Sequence, residues 1–82
     1  MSARVFNLPD VGEGLVEARV VDILVAEGQA LKRFDPIMEV ETDKSTVELT
    51  IPWAGTVTTI HAKQGEYVEV GNPLLELEVE GD

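Results

Sequence analysis

GQALKRFDPIMEVE, residues 28–41, reads in register against GEYVEVGNPLLELE, residues 65–78. Gly28 falls on Gly65, Pro36 on Pro73, Glu39 on Glu76 and Glu41 on Glu78, while Leu31/Val68, Ile37/Leu74, Met38/Leu75 and Val40/Leu77 keep their apolar character. Further upstream, at the same offset of 37 residues, Val20 meets Val57 and Ile23 meets Ile60. Repetition at a fixed offset marks one structural unit used twice. Within each copy apolar and polar residues alternate, the period of a half-buried strand, and no stretch carries a helical period.

The same period marks eight candidate strands, at residues 4–8, 18–25, 30–32, 37–41, 46–51, 56–62, 67–69 and 74–79. Gly12, Gly14, Gly28, Gly55, Gly65 and Gly71, with Pro9, Pro36, Pro52 and Pro73, punctuate them at the close spacing of an all-β barrel or sandwich. Around Asp22 the alternation slips, which predicts a bulge or a strand shared between two sheets. Val40, Val47, Leu49, Leu75 and Leu77 are the expected core. Glu39, Glu41, Glu48, Glu76, Glu78 and Glu80 alternate with apolar positions and read as solvent-facing, not as a metal site or a glycosidase carboxylate pair. Trp53 is expected to cover a barrel end, Phe34 to be a turn hydrophobe, and Lys32 and Lys63 to be ordinary surface charges. The single histidine, His61, has no serine or cysteine paired with it and reads as a surface or packing residue.

RVFNLP, residues 4–9, also matches VELTIP, residues 47–52, but at an offset of 43. The two offsets differ by six, so the first copy carries six additional residues within DVGEGLVE, residues 10–17. An insertion in an otherwise repeated scaffold is a loop free to take on a role. Lys44 falls on Gly81 in this alignment, which places the lysine and the chain end at opposite poles.

An 82-residue chain is one small domain, of a size that buries only about 60% of its unfolded surface. It has no cysteine, hence neither a disulfide framework nor a thiolate metal site. Six basic against sixteen acidic residues give a formal charge of −10, which disfavours nucleic acid and anionic membrane surfaces as partners. No apolar run approaches a membrane span, and MSARVFNLPD lacks the apolar segment of a secretory signal.

Two half-buried strands converge on Thr42, Asp43, Lys44 and Ser45. Two-residue hairpins prefer Asn-Gly or Asp-Gly with positive φ, whereas Asp-Lys suits a type I turn that matches strand twist less well. A lysine there is either an ordinary solvated charge or a presented amine, and the residues alone leave both readings open.

ETDKS at a hairpin tip, preceded by GQALKRFDPIMEV and followed by TVELTIPWAGTV and GEYVEVGNPLLEL, resembles the lipoyl domain of 2-oxo acid dehydrogenase acyltransferases. LPDVGEGLVEA is similar to the first strand and surface loop of the same family. The resemblance runs from about Val5 to Val79, and its most specific element is Asp43-Lys44 between two β runs. It implies a flattened barrel, or sandwich, of two four-stranded antiparallel sheets with an internal pseudo-twofold repeat. It further implies a single lipoyl domain over residues 1–80, cut from the N-terminal end of a longer chain, with 81–82 either the start of a linker or simply the end of the excised piece.

The resemblance also implies lipoic acid in amide linkage on Lys44, with Asp43 and Ser45 forming the presenting turn. The partners implied are a thiamine-diphosphate-dependent 2-oxo acid decarboxylase, the acyltransferase core of the same chain, a flavin dihydrolipoyl dehydrogenase, and a lipoate ligase or lipoyltransferase. Val11, Gly12, Glu13, Gly14, Leu15 and Val16 would help the decarboxylase recognise the domain. Their sequence is more similar to acyltransferases for pyruvate or branched-chain 2-oxo acids than for 2-oxoglutarate. The isolated domain is expected to be a non-catalytic monomer in a bacterial or archaeal cytoplasm, or in the mitochondrial matrix if trimmed from a eukaryotic chain. The rivals are a biotin carrier domain, in which methionines typically flank the lysine, a longer glycine-cleavage carrier, and an unmodified β-barrel interaction module.

Overall fold

The computed structural model describes residues 2–10, 14 and 16–79. The eight strands are β1 (Ser2–Asn7), β2 (Glu17–Ile23), β3 (Ala30–Leu31), β4 (Pro36–Glu41), β5 (Thr46–Thr50), β6 (Gly55–Ile60), β7 (Tyr67–Glu69) and β8 (Pro73–Val79). They form two four-stranded antiparallel sheets, β1-β8-β6-β3 and β5-β4-β2-β7. Exchanging the two copies of the repeat carries β1 to β5, β8 to β4, β6 to β2 and β3 to β7, so each sheet maps onto the other. The expected architecture is therefore present, and its symmetry comes directly from the repeated sequence.

Irregularities repeat as well. The register slips between Val20 and Asp22 where β2 meets β4, at the expected bulge, and again between Val57 and Thr59 where β6 meets β8. A second matched pair lies between Pro36 and Met38 and between Phe6 and Asn7. The first of these slips lets both Ile37 and Met38 enter the core despite being adjacent, a departure from strict alternation. Strand β2 ends at Ile23, short of the expected residue 25, yet Val25 is still buried.

Leu8, Val20, Ile37, Met38, Val40, Leu49, Ile51, Val57, Leu74, Leu75 and Leu77 pack between the sheets. Burying one such side chain stabilises the fold by about 1.5–3 kcal/mol, and no buried polar side chain opposes this among the described residues. Val47, expected in the core, is only half-buried because β5 is an edge strand. Gly55 permits the close approach of β6 to β8, since a methyl there would collide with the Glu78 carbonyl oxygen. Trp53 closes the flank beside β1, where the Phe6 ring meets it edge-on at 6.3 Å and the Arg4 guanidinium lies 5.8 Å from its centroid.

Phe34 departs from its repeat partner. It has φ 73° and its N–H donates to the Ile51 carbonyl at 2.6 Å, while Gly71, its counterpart, has φ 95° and donates to the Leu8 carbonyl at 2.9 Å. The backbone is the same, but only glycine adopts it without strain. With 67% of Phe34 exposed, the ring recovers little by burial. The left-handed penalty of about 1–2 kcal/mol exceeds the extra chain entropy of glycine, about 0.5–1 kcal/mol. Phe34→Gly is expected to raise the urea unfolding midpoint by a net gain of about 0.5–1 kcal/mol; a lower midpoint would show that the ring makes stabilising contacts.

Candidate functional site

Strands β4 and β5 run together from Pro36 opposite Thr50 to Glu41 opposite Thr46, and the chain reverses through residues 42–45. Asp43, Lys44 and Ser45 are exposed and Thr42 is half-buried. None of the four has positive φ, so the turn uses neither a glycine nor the primed geometry favoured in short hairpins. Among the described residues the Lys44 ammonium takes part in no ion pair, which leaves it free to solvent.

Thr42 supplies what local propensity lacks. Its N–H donates to the Ser45 carbonyl at 2.8 Å, and its hydroxyl donates to the same carbonyl at 3.0 Å. The hydroxyl oxygen in turn accepts from the Lys44 N–H at 3.4 Å and the Ser45 N–H at 3.3 Å. Sequence reading singled out Asp43 and Ser45 but missed Thr42, although a threonine opening a turn is the signal for such side chain to backbone bonds.

Beside the turn, Glu17, Arg19, Glu41, Thr42, Asp43 and Tyr67 line a shallow open cleft of about 240 Å³. Arg19 reaches Glu41 with Nη2 and Nε at 3.3 and 3.4 Å, a solvent-exposed pair that contributes little to stability. Arg19 faces Glu41 across the sheet, so Glu17 and Val16, earlier in β2 and just before it, run alongside the lysine turn. Val16 and Gly14 are both exposed, and the Val16 carbonyl accepts from the Val70 N–H at 2.9 Å. Val11, Gly12, Glu13 and Leu15, the rest of the expected recognition loop, lie outside the described residues, as do Glu80 and Gly81.

At the far end of the β4–β5 pair, Ile51 leads through residues 52–54 to Gly55, which faces Val79. The last described residue is thus remote from Lys44. His61 and Glu76 form a pair at 2.6 Å on the outer surface; both are half-exposed, so Glu76 is not simply solvated as its alternation suggested. Glu39 and Glu78 are likewise half-buried. No group of three His, Cys, Asp or Glu among the described residues is arranged to hold a metal ion.

The sequence model of the biotin/lipoyl family, described as "Biotin-requiring enzyme", matches residues 4–77. The chain belongs to this biotin/lipoyl family. Over 81 residues it is 38% identical to the lipoamide acyltransferase component of the branched-chain alpha-keto acid dehydrogenase complex of Pseudomonas aeruginosa, covering 99% of this chain and 19% of that protein. It is 45% identical over 69 residues to the dihydrolipoyllysine-residue acetyltransferase component of the pyruvate dehydrogenase complex of Mycoplasma genitalium, covering 84% and 18%. The solution structure of the lipoyl domain of the Azotobacter vinelandii 2-oxoglutarate dehydrogenase complex superimposes with a TM-score of 0.76 at 27% identity, covering 94% of this chain and 98% of that one. The chain thus spans about a fifth of the length of these acyltransferase relatives and nearly all of a lipoyl domain.

Proposed function

We propose that this domain carries lipoic acid in amide linkage on Lys44 and serves as the mobile arm of a dihydrolipoamide acyltransferase in a 2-oxo acid dehydrogenase complex. The observation that carries this reading is the placement of Lys44 at an exposed, side-chain-braced turn on a packed sandwich. Such a site fits the group, because attachment needs one accessible primary amine and a rigid base that keeps the arm off the protein surface. When bound, lipoic acid supplies a dithiolane that accepts acyl groups and electrons.

This chain's residues place and expose that group and do no chemistry on it. Tethering raises the effective concentration of the arm at each partner it visits. The proposed partners are a thiamine-diphosphate-dependent decarboxylase, the acyltransferase core and dihydrolipoyl dehydrogenase, with a lipoate ligase or lipoyltransferase making the attachment. Similarity to the branched-chain and pyruvate acyltransferases favours those two substrate classes.

The family also includes biotin carriers, but Asp43 and Ser45 stand where methionines typically flank a biotinylated lysine. Intact mass and peptide mapping, after expression with lipoate or with biotin and the matching ligases, separate the readings. Lipoate on Lys44 alone, lowering the formal charge from −10 to −11, is the expected result. Biotin on Lys44, or no modification with an active ligase present, would overturn it.

Residues 11–16 are proposed to be read by the decarboxylase. Their carboxyl end runs beside the lysine turn while the core strands are held independently. Shortening the loop is expected to leave folding and lipoylation intact and to lower reductive acylation about tenfold or more. An unchanged kcat/KM on a folded, fully lipoylated deletion variant would remove the loop from recognition.

A further inference from the structure

We infer that Thr42 is the positioning residue of the modification site, a role that rests on Lys44 being the lysine modified. The peptide groups on either side of the Lys44 Cα carry the Lys44 and Ser45 N–H groups, and both point at one atom, Thr42 Oγ1, at 3.4 and 3.3 Å. Orienting the two peptide planes that flank a Cα fixes the direction in which its side chain leaves the backbone. The same hydroxyl donates to the Ser45 carbonyl at 3.0 Å, closing the turn from the other side. Among the described residues no other side chain braces these amides, and no glycine or positive φ contributes.

Thr42 is also the one half-buried residue of the turn, directly after β4, so the brace is anchored to the sandwich and not to the exposed tip. The modifying enzyme therefore meets a lysine whose projection is already set, and it avoids the ordering cost that a free turn would impose. Both amide contacts are long, so each is weak alone and the effect comes from the set.

The test is steady-state lipoylation by lipoate ligase of the wild-type domain, Thr42→Val and Thr42→Ser, with urea unfolding and amide hydrogen exchange on each. Thr42→Val keeps the branched shape and removes the hydroxyl. It is expected to raise KM for the domain about tenfold with kcat near wild type, the scale of one net hydrogen bond. Exchange should quicken at Lys44 and Ser45 while strands β4 and β5 keep their protection. Thr42→Ser should recover to within about threefold of wild type, because it restores the hydroxyl. A purely structural residue would instead shift the unfolding midpoint and leave KM alone. Thr42→Val within twofold of wild type in kcat/KM, or Thr42→Ser no better than Thr42→Val, overturns the inference. Should Thr42→Val fail to fold, Thr42→Ala carries the same comparison. Wild-type domain that takes no lipoate on Lys44 refutes the carrier reading itself, a result distinct from either.

Discussion

Lys44→Arg is expected to abolish lipoylation completely while leaving the unfolding midpoint within about 0.5 kcal/mol of wild type, as for most surface substitutions. The side chain is exposed and without an ion pair among the described residues, so arginine has room and loses no partner. A guanidinium keeps the charge but cannot supply the amine that an amide requires. Intact mass of the variant after expression with ligase and lipoate checks this. Lipoate on Lys32 or Lys63, the only other lysines, would show that the turn does not define the site.

The opposite pattern is expected at Leu49→Ala, where the fold is lost and modification goes with it. Leu49 lies in β5, is 4% exposed and faces Met38 across the sheet, four residues beyond Ser45. Truncation removes buried apolar volume that the two sheets cannot fully collapse around, at a cost of about 2–5 kcal/mol. That is a large part of the roughly 5–15 kcal/mol that stabilises an ordinary domain, and small domains lie toward the low end. With a urea slope of about 1 kcal/mol/M, the midpoint should fall by about 2 M or more. Lipoylation should track the folded fraction, and a short ETDKS peptide should be a poor acceptor, because under the proposed function a modifying enzyme recognises the braced turn. An unmoved midpoint would show that the inward face of β5 is assigned wrongly.

Period-two alternation with Gly and Pro at the turns located all eight strands, even β1, which is exposed at every residue but Phe6. The repeat was legible as one motif used twice, and Pro36/Pro73 and Glu41/Glu78 do recur at equivalent places in the two ladders, while the arrangement in two four-stranded sheets came from the family resemblance. Lys44 was legible as a lysine at the tip of two converging strands, and its exposure there is as expected, while its reading as an attachment site came from the family resemblance. What alternation cannot express stayed hidden. Ile37 beside Met38 would assign one of them to solvent, until a register slip turns both inward. The left-handed Phe34 stands where local preference calls for glycine. The His61–Glu76 pair and the bracing by Thr42 depend on side-chain reach in three dimensions, which strand patterning does not encode.

The symmetry of the two sheets has a topological consequence for Lys44. Ser2 faces Val79 across the β1–β8 ladder, and the repeat carries that pair onto Ser45 and Thr42, which bond across the lysine turn. Each half, β1 to β4 or β5 to β8, supplies two strands to either sheet, so neither is a finished body alone. The molecule has the geometry of two interlocked protomers made continuous by a single covalent joint, and the lysine sits on that joint. The equivalent junction pairs Val79 with Ser2, and among the described residues no hairpin joins them. Of the two equivalent seams, the one closed by a hairpin bears Lys44.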